Sequence, residues 1–260
     1  MILMESLKID LDVPEELIDN GSHEIKYENL QGKTLIGLCG YARSGKDTLA
    51  KGMINLLNFR RISFADTLKQ DMNDFFRFSV QEDLEKKGII IPFEAIDFIN
   101  PINNEIKEIL RPYMIWFGES MKKINGVHHW TNRAFSQIEE SDRKLVLTDV
   151  RRKNELEIFK NNREFQKVRN RNREEINLEL LPIHQITNDD FDCLLLHVSQ
   201  IHNKDEDSLT KETILEAIEN WMFADTIHID SRIQDISGYH DKHIYNHVRK
   251  LVEKFPEYFI

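Results

Sequence analysis

The stretch Thr34-Leu35-Ile36-Gly37-Leu38-Cys39-Gly40-Tyr41-Ala42-Arg43-Ser44-Gly45-Lys46-Asp47-Thr48 decides how this chain is read. Its first six residues read as a short buried strand, and Leu49, Ala50, Met53, Ile54 and Leu57 then recur at helical spacing. A loop with glycine at both ends, Gly40 to Gly45, joins the two. Such a loop can turn its backbone N–H groups inward, and the helix behind it directs the positive end of its dipole to the same point. A lysine there reaches the outer phosphates of a nucleotide. The segment matches the pattern G-x-x-x-x-G-K-[ST] except at the last position, where Asp47 stands and Thr48 follows one residue late. A carboxylate in the first turn of a helix is favoured by the dipole, and it can hold Mg²⁺ directly or through water where the usual hydroxyl would. Gly40, Arg43, Ser44, Gly45, Lys46, Asp47 and Thr48 are therefore the candidates for gripping a nucleotide's phosphates. The competing reading is a glycine-rich turn that binds nothing; the strand and helix on either side argue against it.

The bulk numbers fit this picture. At 260 residues, 40 % hydrophobic and 31 % charged, the chain suits one α/β domain with insertions or one domain with a short arm. Its net charge is −10 and its pI about 5.5, so no general basic surface invites nucleic acid, and phosphate ligands must be met by local basic clusters. Cys39 and Cys193 both sit in apolar runs and form no C-x-x-C pair, which reads as reduced core thiols of a cytoplasmic protein. No apolar run approaches a membrane span, and no signal core is expected at the start.

Residues 1 to 32 are acidic and broken by Pro14, Asn20 and Gly21, and read as an N-terminal arm that is solvated, packed on the domain or bound to a partner. After the first helix, Arg60 to Phe64 reads as a second strand and Ala65 to Phe78 as a helix with Leu68, Met72, Phe75 and Phe76 on one face. Asp66 and Lys69 fall near its start, placed to meet a second ligand. Residues 79 to 105 read as an insertion, with Gln81 to Lys87 helical. From Ile106 a helical period runs to Met121, and Pro112 must kink one helix or begin another. Arg111 at that break can aim its planar fork at a phosphate or pair with a surface carboxylate. His128, His129 and Trp130 open a helix expected to reach about Glu140.

Lys144 to Asp149 is an apolar run that ends in a carboxylate, followed by Val150, Arg151 and Arg152. The ends of parallel strands line the ligand crevice, so Asp149 is placed to orient Mg²⁺ or its waters, and the two arginines to neutralise phosphates. A helix from Asn154 to Lys160 and a strand from Glu164 to Val168 follow. The basic cluster Arg169, Arg171 and Arg173 then lies in a stretch without apolar period. It reads either as a flap that closes arginines over a reacting phosphate or as a solvated charge run. Phe191 to Val198 and Thr226 to Ile229 read as strands, and Thr210 to Met222 as a helix. A closing helix carries Ile244, Val248 and Leu251, with His240, His243 and His247 on a polar face rather than in a metal site.

With these features in view, the chain resembles the phage-type deoxynucleoside monophosphate kinases, a P-loop phosphotransferase family, from about Lys33 to Ile236. The residues that carry the resemblance are Gly45-Lys46-Asp47-Thr48, then Asp149-Val150-Arg151 with Asn154 and Glu155. Between them, Arg111 stands seven residues before Gly118, with Trp130 a dozen further on. Three places depart from the family pattern. Glu119 precedes Ser120 where threonine and then an acid are usual, Lys122 replaces an arginine, and the late histidine, serine, glutamate signature is met only by His197-Val198-Ser199-Gln200.

The resemblance implies a P-loop NTPase-like three-layer α/β fold with a mostly parallel central sheet, a helical insertion at about 79–105 and a lid at about 169–190 of a kinase domain 33–260. It implies a phosphotransferase that passes the γ-phosphoryl group of ATP to a deoxynucleoside monophosphate, with Mg²⁺ held by Asp47 and Asp149. Lys46, Asp149, Arg151 and Arg169 are then the catalytic candidates, and Asp66, Lys69, Arg111, Arg151 and Trp130 the acceptor-binding ones. The implied partners are small nucleotides in the cytoplasm of a bacteriophage's host, with neither nucleic acid nor membrane, and a homodimer is compatible. Two rivals stand beside this reading: another small-molecule P-loop kinase, acting on phosphomevalonate or a coenzyme precursor, and a nucleotide-sensing module without transfer.

Overall fold

The computed structural model describes residues 24–41, 44–160, 162, 191–200, 208–219, 222–229 and 239–260. They divide into two compact units, one of 24–25 with Phe64–Ala134 and one of Lys26–Ser63 with Phe135–Ile260. The expected strand over 164–168, the basic run 169–173, Arg43 and the arm up to residue 23 lie outside the described residues.

The second unit is built on five strands: β1 (Thr34–Cys39), β2 (Arg60–Ile62), β3 (Lys144–Val150), β4 (Asp192–Gln200) and β5 (Asp225–Ile229). Their order in the sheet is β2-β3-β1-β4-β5, and every pairing is parallel. β1 takes the centre because it is apolar on both faces, as a strand covered from both sides must be. Successive side chains point to opposite faces. Ile36 and Leu38 meet Leu49 and Met53 of α1 (Lys46–Leu57) and a long helix over Tyr239–Lys254, while Gly37 faces the other layer. There the ring of Phe159, on a helix over Lys153–Lys160, fills the place of the missing side chain, since a Cβ on Gly37 would lie 2.3 Å from it. A further helix, Ser208–Glu219, packs beside that one, with Lys160 bonded to Glu216 at 2.6 Å. Each fully buried Leu, Ile or Phe in these layers contributes about 1.5–3 kcal/mol. The unit is thus the three-layer α/β arrangement with a parallel central sheet that the sequence implies. Residues 26–32 pack on it, with Leu30 fully buried and Tyr27 stacked on Phe191 at 5.6 Å.

The first unit is helical. It comprises α2 (Phe64–Phe75), α3 (Arg77–Lys86), α4 (Asn104–Asn125) and the start of α5 (His129–Phe135); the Lys153–Lys160, Ser208–Glu219 and Tyr239–Lys254 helices are then α6, α7 and α8, and the chain ends in α9 (Pro256–Phe259). The helix expected over 65–78 is divided at Phe76, which leaves helical geometry (φ −120°, ψ −5°) as its ring packs on Phe117 at 4.8 Å. α4 starts at Asn103, whose side chain accepts a hydrogen bond from the Ile106 N–H at 2.9 Å, and it runs through Pro112 unbroken. Its buried stripe of Leu110, Tyr113 and Phe117 outweighs the backbone bond that proline cannot make to the carbonyl of Glu108. α5 stops at Phe135, short of the expected Glu140, where the Phe135 carbonyl accepts from Asn29 Nδ2 at 3.1 Å and from the Ile138 N–H in a turn. No helix among the described residues is long and apolar enough to cross a membrane.

Candidate phosphate-binding site

The order of the strands places the candidate site. From the central β1 the chain goes to β2 on one side through α1, and from β3 it crosses to β4 on the other side through α6 on the opposite face. Between β1 and β3 the connections leave in opposite directions, which opens a crevice outside the carboxyl ends of a parallel sheet. Gly40 to Gly45 emerges from β1 at that point.

Both glycines are dictated by close approach. Gly40 has φ +155°, and a Cβ there would stand 2.1 Å from the carbonyl oxygen of Val198 on β4. Gly45, at φ +94°, is the residue before α1, and a Cβ on it would meet Ile229 of β5 at 2.7 Å. Among the described residues no side chain caps the start of α1, where glycine is the N-cap residue. Its leading N–H groups are therefore directed, with the helix dipole, at whatever occupies the loop.

Lys46 opens α1 and is 4 % exposed. Its Nζ donates to the carbonyl oxygens of Gly40 and Tyr41, both at 2.6 Å, and lies 3.4 Å from Ser44 Oγ. Burial, followed by the Arg151 guanidinium, pushes its pKa from 10.5 down to about 8, against the pull of the Asp47 and Asp149 carboxylates. Lys46, Asp47, Asp149 and Arg151 thus sit within electrostatic range of one another. A buried ammonium whose hydrogen bonds go to uncharged carbonyl and hydroxyl oxygens gains from an anion that neutralises it.

Asp149 is near the end of β3, and its Oδ2 accepts a hydrogen bond from Ser63 Oγ at 2.9 Å. Ser63, the residue after β2, fixes the carboxylate's orientation. Arg151 and Arg152 follow, and Glu155 accepts their backbone N–H groups at 2.6 and 2.8 Å, closing the first turn of α6. The Arg151 carbonyl accepts from Thr213 Oγ1 at 2.8 Å. These bonds pin the backbone from which the Arg151 guanidinium reaches the loop. Among the described residues no group of three or more His, Cys, Asp or Glu can hold a metal by itself. The oxygen donors Asp47 and Asp149 fit a hard divalent ion such as Mg²⁺, which takes one or two carboxylates and completes its shell with phosphate oxygens and water.

The remaining candidates belong to the helical unit. Asp66 and Lys69 pair across the first turn of α2 at 3.9 Å. Arg111 lies mid-helix in α4 rather than at a junction, and its partner is the surface carboxylate of Glu108 at 2.9 Å. Trp130 is buried, and its Nε1–H donates to the Gly118 carbonyl at 3.0 Å. That bond accounts for the twelve-residue spacing, and Gly118 is tight as well, since a Cβ there would meet Leu68 at 2.9 Å. Of the residues that depart from the resembled pattern, Glu119 and Lys122 pair with each other at 3.2 Å and Ser120 is buried. Arg43 and Arg169 lie outside the described residues.

Of three further residues near the loop, Ser63 carried no usable signal in the sequence, while Glu155 and His197 entered only through the resemblance. Ser63 is one of many serines, and the resemblance includes Glu155 without giving it a role. His197 reaches the site through the pairing of β4 with β1, residues some 160 apart in the chain.

No protein family matches the sequence, and no curated protein matches it either. Among solved structures, a sugar kinase from a Janibacter species aligns at 13 % identity over 88 % of this chain and 98 % of that one, with a TM-score of 0.29. A protein assigned as a kinase in Chloroflexus aurantiacus aligns at 11 % identity over 86 % of this chain and 98 % of its own, with a TM-score of 0.27.

Proposed function

We propose that the chain is a P-loop phosphotransferase that passes the γ-phosphoryl group of ATP to a deoxynucleoside monophosphate. The observation that carries the first half of this reading is Lys46. A buried ammonium sits at the start of an uncapped helix, bonded to the carbonyls of a loop whose two glycines admit no side chain, with Asp149 and Arg151 in its field. Such a centre is arranged for the triphosphate tail of a nucleotide.

The roles follow from the charges. Lys46 bridges the outer phosphates, and the loop amides orient them. Arg151 compensates charge on the group in transit. A divalent ion held by Asp47 and Asp149 supplies further charge compensation when bound. Phosphoryl transfer asks for alignment and charge compensation more than for a strong base, so no general base is assigned. The acceptor half draws on the resemblance: Asp66, Lys69, Arg111 and Trp130, with Arg151, are assigned to the monophosphate, and Arg169 in the segment 169–190 to closure over the phosphates.

A coupled ADP-release assay with ATP·Mg²⁺ and a panel of deoxynucleoside and ribonucleoside monophosphates tests both halves. The expected result is turnover with one or a few deoxynucleoside monophosphates that vanishes in Lys46→Ala. Turnover only with an unrelated small-molecule acceptor would keep the phosphotransferase and discard the nucleotide acceptor. ATP binding with no ADP formed on any acceptor would point to a sensing module.

A further inference from the structure

We infer that His197, at the carboxyl end of β4, is a further ligand-binding residue of this site and donates its Nε2–H to a phosphate oxygen of the bound nucleotide. The inference rests on the phosphate-binding reading of the Gly40–Gly45 loop.

The Nε2 atom of His197 is buried and has no hydrogen-bond partner among the described residues. An unpaired ring nitrogen in that condition costs stability, and buried polar atoms of this kind are few in folded proteins. Its position explains it. His197 stands in register beside Cys39, the last residue before the loop. The carbonyl of the next residue, Val198, is the atom that excludes a Cβ from Gly40. The end of β4 therefore lies directly against the loop, and the charge of Lys46 reaches the imidazole. The ring is also fixed, stacked on Phe223 with centroids 5.0 Å apart and planes 23° from parallel.

Arg151, which follows β3 on the other side of β1, has its Nε in the same state, buried and unpaired among the described residues. Two unsatisfied donors thus flank the strand that delivers the loop, both within the field of Lys46. Burial, then the charges of His228 and Lys46, hold the His197 pKa down to about 4, so the ring is neutral at pH 7. A neutral imidazole offers one N–H and one bare nitrogen, and the tautomer with its hydrogen on Nε2 suits a phosphate oxygen, which only accepts. A histidine with a packing role alone would be better replaced by phenylalanine, which stacks on Phe223 and leaves nothing unpaired. A polar atom that weakens the fold where it stands is accounted for by a partner that arrives with the ligand.

The test is His197→Phe in the full chain, read by melting and by calorimetric titration with ATP and with inorganic tripolyphosphate. The melting temperature should hold or rise, while both ligands bind about 10- to 100-fold more weakly, the loss of one hydrogen bond to a charged group. His197→Gln, which keeps a donor at similar reach, should recover most of the affinity. Should phenylalanine not be accommodated, His197→Leu is read in the same way. ATP binding by the histidine variant equal to that of the unaltered chain overturns the inference. A loss for ATP without a loss for tripolyphosphate overturns it too, because the contact would then be to base or sugar. Lys46→Met run alongside separates the two readings: if the unaltered chain binds no ATP, or Lys46→Met binds it equally well, the loop assignment itself fails.

Discussion

Lys46→Met should separate binding from folding, because the lysine's cost to the fold and its value to the ligand have opposite signs. Burial holds the ammonium at about 8 against 10.5 for a freely solvated lysine, so carrying the charge at pH 7 costs the folded state about 3 kcal/mol. Methionine is of similar length and removes that cost. Against this, the carbonyls of Gly40 and Tyr41 lose donors at 2.6 Å, and each charge-assisted bond is worth about 1.5–3 kcal/mol before water replaces part of it. The two effects nearly offset. The variant should melt within about 4 °C of the unaltered protein, a net change of about 1 kcal/mol for a chain of this size. The ligand effect is not offset: ATP at a hundredfold excess over its Kd adds about 2.7 kcal/mol, or about 5–10 °C, to the unaltered chain and should add nothing to the variant. Melting curves at pH 7 with and without ATP measure both. A Lys46→Met protein that still gains the full ATP increment would refute the reasoning, whatever its own melting temperature.

The same lysine predicts a pH dependence. Since the ligand-free ammonium loses its proton through about pH 8, ATP affinity should be flat up to pH 7.5 and then fall toward tenfold per pH unit. Over the same interval the unfolded chain holds the proton more tightly than the folded one, so this group's penalty on stability is relieved as pH rises. Calorimetry at pH 7, 8.5 and 9.5 would expose a flat profile, which contradicts a role for the charge. Gly40→Ala puts a Cβ 2.1 Å from the Val198 carbonyl, an immovable backbone atom, and should cost about 3 kcal/mol or more; a denaturation midpoint unchanged by it would rule out the close approach of loop and β4. Lys33 is buried, and its Nζ donates to the carbonyls of Glu139, Glu140 and Asp142 at 3.1, 3.2 and 2.7 Å. Lys33→Met should cost about 3 kcal/mol and expose that loop to limited proteolysis, with ATP binding unchanged in the protein that remains folded.

What could be read from the sequence, and what could not, divides by the range of the interactions. β1, the loop and α1 are set by neighbours: an apolar run, two glycines and a 3.6-residue period all act within two dozen residues, and their boundaries were legible almost to the residue. β3, with Asp149 near its end, was legible for the same reason. Where a side chain was committed to a distant partner, local pattern misled. Phe76 keeps the period of a continuous helix yet leaves it to meet Phe117, and Pro112 carries a breaking signal that the buried stripe of α4 overrides. The site divides in the same way. Lys46 and Asp47 announce themselves, because the pattern proposed to hold a phosphate is contiguous. Ser63 behind Asp149, and His197 beside Cys39, are placed by strand pairing across long separations, and neither residue type is unusual enough to draw notice alone. A parallel sheet gathers the ends of strands that are far apart in the chain, so part of any site at its carboxyl edge must come from residues that look ordinary in sequence. The residue to mutate first after Lys46 is therefore one that takes no role from the sequence, His197, whose ring nitrogen is buried without a partner among the described residues.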